Sequence, residues 1–379
     1  VRIAAGYLWI FEGEIAAVEG HPGPGDLVDV VTERGRFLGR GDFSPASKIR
    51  VRLLTRAEEP VDPAFFERRL RAAIALRRRV VSEATAYRLV FGEGDLLPGL
   101  VVDRYADLLV MQALTVGVDR RQEMLADALL GLTGARAVYL RNDAKSRALE
   151  GLALGQGFLR GDAPLEIEVE EGPGRFLVNV ARGQKTGWFC DQRENRLAAA
   201  PLAREGEVLD AFCHTGGFGI HAALAGAASV EGIDTSSEAT SQAAANATRN
   251  GVANRCTFRE ANAFDDLRRL EAAGRRFDLI VLDPPAFART KTAVPSALAG
   301  YKEINLQAIK LLRPEGMLVS CSCSWHVDEG MFWSAVCDAA ADARRDLRLI
   351  EFRSQARDHP MLAAMPETRY LKCLILQVF

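Results

Sequence analysis

Five short polar stretches in the second half of the chain carry residue types suited to chemistry. The first is Asp210-Ala211-Phe212-Cys213-His214-Thr215-Gly216-Gly217-Phe218. Its glycines let a ligand approach the backbone closely where a helix begins. It is not G-x-G-x-x-G, which argues against a dinucleotide. Asp234 stands 24 residues after Asp210, where an acid accepts hydrogen bonds from ribose hydroxyls. Asn262 is placed to pair with a base edge. Asp283-Pro284-Pro285-Ala286-Phe287 and Ser320-Cys321-Ser322-Cys323-Ser324 complete the set. Cys321, Cys323 and His326 read C-x-C-x-x-H with no C-x-x-C nearby, so no metal site is expected. Each stretch also has a plainer use. Gly216-Gly217 makes a tight turn, Asp234 before Thr235-Ser236 caps a helix, and Asp283-Pro284-Pro285 makes a rigid turn.

The elements around these stretches favour the chemical reading. Strand-like runs alternate with helical ones: Glu207–Phe212, a helix from Phe218, Ser229–Asp234, a helix from Ser237, Cys256–Ala261, a helix, Phe277–Asp283, a helix over Ser296–Leu312, and Gly316–Cys321. That alternation predicts an α/β domain with a parallel, Rossmann-like sheet. All five polar stretches then fall at strand carboxyl ends, where open α/β sheets bind ligands. Leu347–Phe352 and Tyr370–Phe379 follow as strands, so an antiparallel pair is expected to close the sheet. A hairpin, Leu165–Glu170 and Arg175–Val180, precedes this domain.

Upstream, Leu27–Thr32, Arg36–Arg40 and Ile49–Leu54 read as short strands separated by turn signals. A helix follows from Pro63 to about Val81, with Phe66, Leu70, Ala73 and Ile74 on one face. Tyr87–Phe91, Gly99–Arg104, Leu108–Ala113 and Ala137–Arg141 read as strands, with a helix near Gln122–Leu130, giving an α+β unit.

Of the 379 residues, 48% are hydrophobic and 26% charged, which excludes a mostly disordered chain. No apolar run reaches the ~18 residues of a membrane span. Val1–Gly20 contains Glu12, Glu14 and Glu19 and lacks a secretion-signal core. The absent initiator Met points to processing or trimming. Seven cysteines without a secretion signal fit a reducing cytoplasm and free thiols. Net charge is −2, yet Arg34–Arg79 holds 13 Lys/Arg against 5 Asp/Glu, a local +8. Such a block attracts polyanions, or forms a solvated arginine-rich surface.

Asp210–Gly219, Asp234, Asn262-Ala263 and Asp283–Phe287 resemble the motifs of class I S-adenosylmethionine-dependent methyltransferases. Gly183–Arg196, Gly92–Asp103 and the tail from Asp358-His359-Pro360 to Tyr370-Leu371-Lys372 narrow the likeness. Together they resemble the bacterial 23S ribosomal RNA cytosine-C5 methyltransferase family with an N-terminal PUA domain, over nearly the whole chain. The resemblance implies a β-rich PUA domain over residues 1–72, a central α+β domain over 73–168 and a methyltransferase domain over 169–379. It implies S-adenosylmethionine as cofactor, ribosomal RNA as partner, no membrane association and a cytoplasmic location. A homodimer is compatible with it. The cofactor residues it implies are Asp210, Thr215, Gly216, Gly217, Phe218, Asp234, Thr235, Asn262, Ala263 and Asp283, with Trp188, Phe189, Asp191 and Arg193 from the upstream motif.

Carbon 5 of cytosine is a poor nucleophile. A thiolate added to carbon 6 makes it enamine-like and able to attack a sulfonium methyl. The resemblance centres that role on Cys323 and makes Asp283 the group that holds the cytosine edge. Cys321 is expected to be a buried structural thiol. Many RNA cytosine-C5 methyltransferases carry a second cysteine directly after Asp-Pro-Pro, where this chain has Ala286. Lys185, Cys321 and a water all remain candidates for taking the carbon-5 proton. Two other functions compete: methylation of an exocyclic amino group of an RNA base, and noncatalytic RNA binding during assembly.

Overall fold

The computed structural model describes residues 2–379. The chain divides into two compact units. The first comprises residues up to Val169 with Val178–Asp191 and Arg357–Thr368. The second comprises Glu170–Leu177, Gln192–Ala356 and Arg369–Phe379.

The first unit opens with β1 (Trp9–Phe11), β2 (Leu27–Val31), β3 (Phe37–Phe43) and β4 (Ile49–Thr55). They form an antiparallel sheet in the order β1-β4-β3-β2. A Cβ on Gly41 would lie 2.1 Å from the Arg52 carbonyl oxygen, so only glycine lets β3 and β4 approach there. Helix α1 (Pro63–Val80) starts where the Asp62 side chain accepts from Phe65 N, with Pro63 in the first turn. It buries Phe65, Phe66, Leu70, Ala73 and Ile74. It also buries Arg77, whose guanidinium pairs with Asp95 through two bonds of 2.5 and 2.7 Å.

A five-stranded sheet follows from β5 (Ala86–Phe91), β6 (Leu100–Tyr105), β7 (Leu108–Ala113), β8 (Ala137–Asn142) and β9 (Gly155–Arg160), in chain order. Helices α2 (Val116–Arg120) and α3 (Gln122–Thr133) connect the parallel pair β7 and β8. The face of α1 packs into the same apolar cluster as Val90, Val102, Leu109, Leu125 and Leu129. Strands β10 (Glu166–Glu171) and β11 (Gly174–Asn179) pair as the expected hairpin.

From Gln192 the second unit continues with α4 (Arg193–Ala199) and then alternates: β12 (Glu207–Ala211), α5 (Gly217–Leu224), β13 (Ser229–Asp234), α6 (Ser237–Arg249), β14 (Cys256–Glu260), α7 (Ala263–Ala272), β15 (Phe277–Leu282), α8 (Val294–Leu311), β16 (Leu312–Ser322), α9 (Glu329–Ala343), β17 (Leu347–Arg353) and β18 (Lys372–Val378). The seven strands run β14-β13-β12-β15-β16-β18-β17. Those from β14 to β16 are mutually parallel, and β18 is antiparallel to both its neighbours. This is the class I, Rossmann-like arrangement with an antiparallel final strand. That strand lies inside the sheet, not at its rim. Lys372–Val378 is almost wholly buried, whereas Leu347–Arg353 is mostly exposed and forms the edge.

Candidate active site

The strand order reverses at β12, which opens a crevice beyond the carboxyl ends of β12, β13 and β15. The loop after β12 turns sharply. Phe212, His214 and Gly216 have φ of 64°, 48° and 85°. Side chains seldom tolerate this region, so the loop stores strain where a ligand would bind. Gly216 leaves no room for a Cβ, which would meet Ile220 at 2.9 Å. Gly217 and Phe218 begin α5, and Thr215 Oγ1 lies 3.3 Å from His214 Nδ1.

Asp210 is buried at the end of β12. Its Oδ2 accepts from Gly219 N at 2.8 Å, and its buried Oδ1 has no hydrogen-bond partner. Burial raises its pKa to about 7, and the charges of Asp283 and Asp234 add to the rise. Three carboxyl groups from three strand ends therefore share one electrostatic field. Asp234 is not the helix cap. Ser236 caps α6 by accepting from Ala239 N, while Asp234 accepts from His214 N and Ser236 N, both at 3.0 Å. Each of its oxygens keeps a further lone pair for a hydroxyl. Asn262 caps α7 through Phe264 N at 2.9 Å, beside buried Ala263. Thr235 is exposed.

A second polar cluster is built at the ends of β15 and β16. Asp283 Oδ1 accepts from Gln192 Nε2 at 2.8 Å. The Cys323 thiol points to the carbonyl oxygen of Pro284, 3.8 Å from its sulfur. The two loops are tied together. Ala288 N donates to Ser324 Oγ at 3.0 Å, and the buried Tyr301 hydroxyl lies 2.9 Å from Ser324 Oγ and 3.0 Å from Ser322 Oγ. Cys321 is fully buried and stands opposite Cys373 on β18. A hydrogen bond with Cys373 and burial push its thiol well above the ordinary value, which suits a structural thiol and not a nucleophile.

The upstream motif lies partly on the first unit. Trp188 is buried, and its backbone N–H donates to Tyr105 Oη at 3.1 Å. Lys185, with φ of 54°, reaches Asp191 Oδ2 at 3.0 Å and lies 4.8 Å from the centre of the Phe189 ring. Arg193 opens α4 in the second unit and is buried.

The second unit thus gathers Asp210, Thr215, Gly216, Gly217, Phe218, Asp234, Thr235, Asn262, Ala263, Asp283 and Cys323 at one sheet edge, while Trp188, Phe189 and Asp191 belong to the first. Sequence reasoning gave Gln192, Tyr301 and Lys372 no role at the site. The signal for Lys372 was a single charge in an apolar terminal strand. Its Nζ donates to the carbonyls of Ser324, Val327 and Tyr370 at 2.7, 2.8 and 3.0 Å. Burial lowers its pKa to about 8, while nearby Cys323 acts to raise it.

These residues fit a cationic nucleoside ligand. The partnerless Asp210 oxygen and the two further carboxylates favour a positive charge, Asp234 suits a ribose, and the glycine turn admits close approach. Comparison with known proteins agrees. Residues 1–56 match the PUA-like domain family and residues 202–364 a methyltransferase domain family. Ribosomal RNA large subunit methyltransferase I of Shewanella denitrificans is 44% identical over 377 residues, covering 98% of this chain and 95% of that protein. The protein of the same name from Tolumonas auensis is 42% identical over 375 residues, covering 97% and 94%. Among solved structures, SMU.776 complexed with SAH superposes with a TM-score of 0.86 at 19% identity, covering 99% of this chain and 97% of its own. A Streptococcus mutans chain assigned to the SAM-dependent methyltransferases gives 0.84 at 18%, covering 99% and 96%. At that identity the two structures attest the fold.

Proposed function

The chain belongs to the ribosomal RNA large subunit methyltransferase I family, and we propose that it methylates carbon 5 of a cytosine in 23S ribosomal RNA through a covalent cysteine adduct. S-adenosylmethionine is the methyl donor and supplies an electrophilic methyl on a sulfonium. Asp234 would hold its ribose, and the Thr215–Phe218 loop would take its methionine part. The carboxyl groups of Asp210 and Asp283 offset the positive charge.

The observation that carries the reading is the meeting of Cys323 with the Asp283-Pro284 strand end. One thiol and one carboxyl group stand just past the ends of adjacent parallel strands, whose spacing is ~4.8 Å. A pyrimidine extruded from its stack fits between them. Cys323 Sγ adds to carbon 6, and Asp283 hydrogen-bonds the cytosine edge and stabilises the ring's protonated form during the addition. Carbon 5 then takes the methyl as the donor's sulfonium–methyl bond breaks, water takes the carbon-5 proton, and the carbon–sulfur bond breaks to release Cys323 as a thiolate. The burial of Cys321 and its hydrogen bond with the free Cys373 thiol support a structural role for it.

The test is trapping on RNA containing 5-fluorocytosine, where the carbon-5 proton is missing and the adduct persists. The wild-type protein should form a denaturant-stable adduct. Cys323→Ala should lose the adduct and methylation while still binding S-adenosylmethionine, and Cys321→Ala should keep appreciable activity. Methylation by a Cys323→Ala protein would overturn the mechanism and favour an amino-group target.

A further inference from the structure

Beyond Cys323 the chain does something the reaction itself does not require. Val327 N donates to Ser324 O at 3.2 Å. This closes a four-residue turn with Trp325 and His326 at its corners. Trp325 is 49% exposed. Among the described residues the other tryptophans are buried or half-buried. An extended chain spans at most ~3.6 Å per residue, so Trp325 stands within ~7 Å of Cys323 along the backbone.

The turn is rigidly held. Lys372 Nζ binds both of its end carbonyls, Ser324 O at 2.7 Å and Val327 O at 2.8 Å. Ser324 Oγ is fastened to Ala288 N on the acceptor loop. The His326 ring meets the indole edge-on, centroids 4.7 Å apart, which leaves an indole face uncovered by that neighbour. Just past Ala288 come Arg289 and Lys291, both exposed and neither in an ion pair among the described residues. A fixed, solvent-facing aromatic beside unpaired cations is the pattern that binds single-stranded nucleic acid, by base stacking and phosphate contact.

We propose that Trp325 is a stacking platform for the base next to the extruded cytosine, with Arg289 and Lys291 holding the phosphates of that strand. The inference rests on the proposed function and names how its RNA is gripped. Pulling a base from its stack leaves the neighbouring base with one face uncovered, and a preorganised indole covers that face at little cost in side-chain entropy.

The experiment measures affinity and KM for a single-stranded RNA fragment containing the target cytosine, using full-length protein. Trp325→Ala should weaken RNA binding roughly 5- to 150-fold, the ~1–3 kcal/mol of one base–aromatic stack. Trp325→Phe should recover most of it. S-adenosylmethionine affinity should be unchanged, which also reports an intact fold. An abasic site beside the target cytosine should cost the wild type a similar factor and cost Trp325→Ala little more, because the two changes remove one contact. Arg289→Gln with Lys291→Gln should lower the salt dependence of binding. Unchanged RNA affinity and KM in Trp325→Ala would overturn the platform, as would full additivity with the abasic site. If the wild type traps 5-fluorocytosine RNA, such a result sinks the platform alone; if it does not, the proposed function fails first and the platform with it.

Discussion

Gln192 donates from Nε2 to Asp283 Oδ1 at 2.8 Å, and this bond ends a one-way chain. Arg353 Nε donates to Asn195 Oδ1 at 3.0 Å, and Asn195 Nδ2 donates to Gln192 Oε1 at 2.7 Å. A guanidinium at one end sets the orientation of both amides, so the last donor must face the carboxyl group. The chain fixes the orientation of the Asp283 carboxyl group at the strand end.

Gln192→Leu should therefore slow methyl transfer without blocking cofactor binding. One hydrogen bond to a charged group is worth about 1.5–3 kcal/mol, or roughly 10- to 150-fold in rate. Single-turnover rates and S-adenosylmethionine titration measure the two effects separately. Equal losses in both would show that Gln192 holds the fold of the site and does not aim Asp283.

Asp210 gives a pH signature. Its pKa is raised from 3.8 to about 7 by burial and by Asp283 and Asp234. Between these values the folded protein binds more protons than the unfolded chain, so stability falls as pH rises through about 7. Asp210→Asn should stabilise the ligand-free protein at pH 8.5, by roughly 1–3 kcal/mol, and do little at pH 4. Urea denaturation at the two pH values tests this. A cationic ligand prefers ionised Asp210, so wild-type affinity for S-adenosylmethionine should rise with pH through the same range.

Glu171 is buried with Arg196, bound through two oxygens at 2.6 Å, and with His221 Nε2 at 3.1 Å. Burial alone would raise its pKa, but Arg196 and His221 outweigh it and hold the carboxyl well below its ordinary 4.5. A lowered carboxylate contributes its stability above that value and loses it as pH falls below. Glu171→Gln removes the negative charge that buried Arg196 and His221 face, which should cost about 3–5 kcal/mol at neutral pH. The difference from wild type should shrink as pH falls below 4.5, as followed by thermal unfolding.

The strand ends were legible because β/α alternation places every such end on one edge, and Asp283 closes the apolar run Leu279–Leu282. Partners across the chain were not. Gln192 meets Asp283 across 91 positions and Lys372 meets Ser324 across 48, and no local pattern encodes either. Strand β9 contains Gly155 and Gly157 and alternates weakly. Helix α9 did carry a signal: Asp328 caps it, and Phe332, Ala335, Val336 and Ala339 recur at helical spacing on its buried face. The basic block was legible as charge only. Composition cannot say which cations already have partners.

That distinction gives the last prediction. Within Arg34–Arg79, Arg52 pairs with buried Glu150 at 2.8 Å, and Arg50 binds Glu12 and the carbonyls of Ser44 and Pro45. Arg56 donates to Ala4 O at 3.3 Å. Arg34, Arg36 and Lys48 are exposed and form no ion pair among the described residues. Cations with structural partners cannot also release counterions from a polyanion, whereas unpaired ones can. Replacing Arg34, Arg36 and Lys48 together by Gln should lower the slope of log affinity against log salt by about 2, at ~0.7–0.9 per phosphate contact. The S-adenosylmethionine affinity of the triple variant should match wild type. Arg52→Gln should instead lower thermal stability, because it strands the buried Glu150 carboxylate, and should leave the slope nearly unchanged. A triple variant with the wild-type slope would show that RNA does not touch these three side chains, and a flattened slope in Arg52→Gln would show that the ion pair opens to meet it.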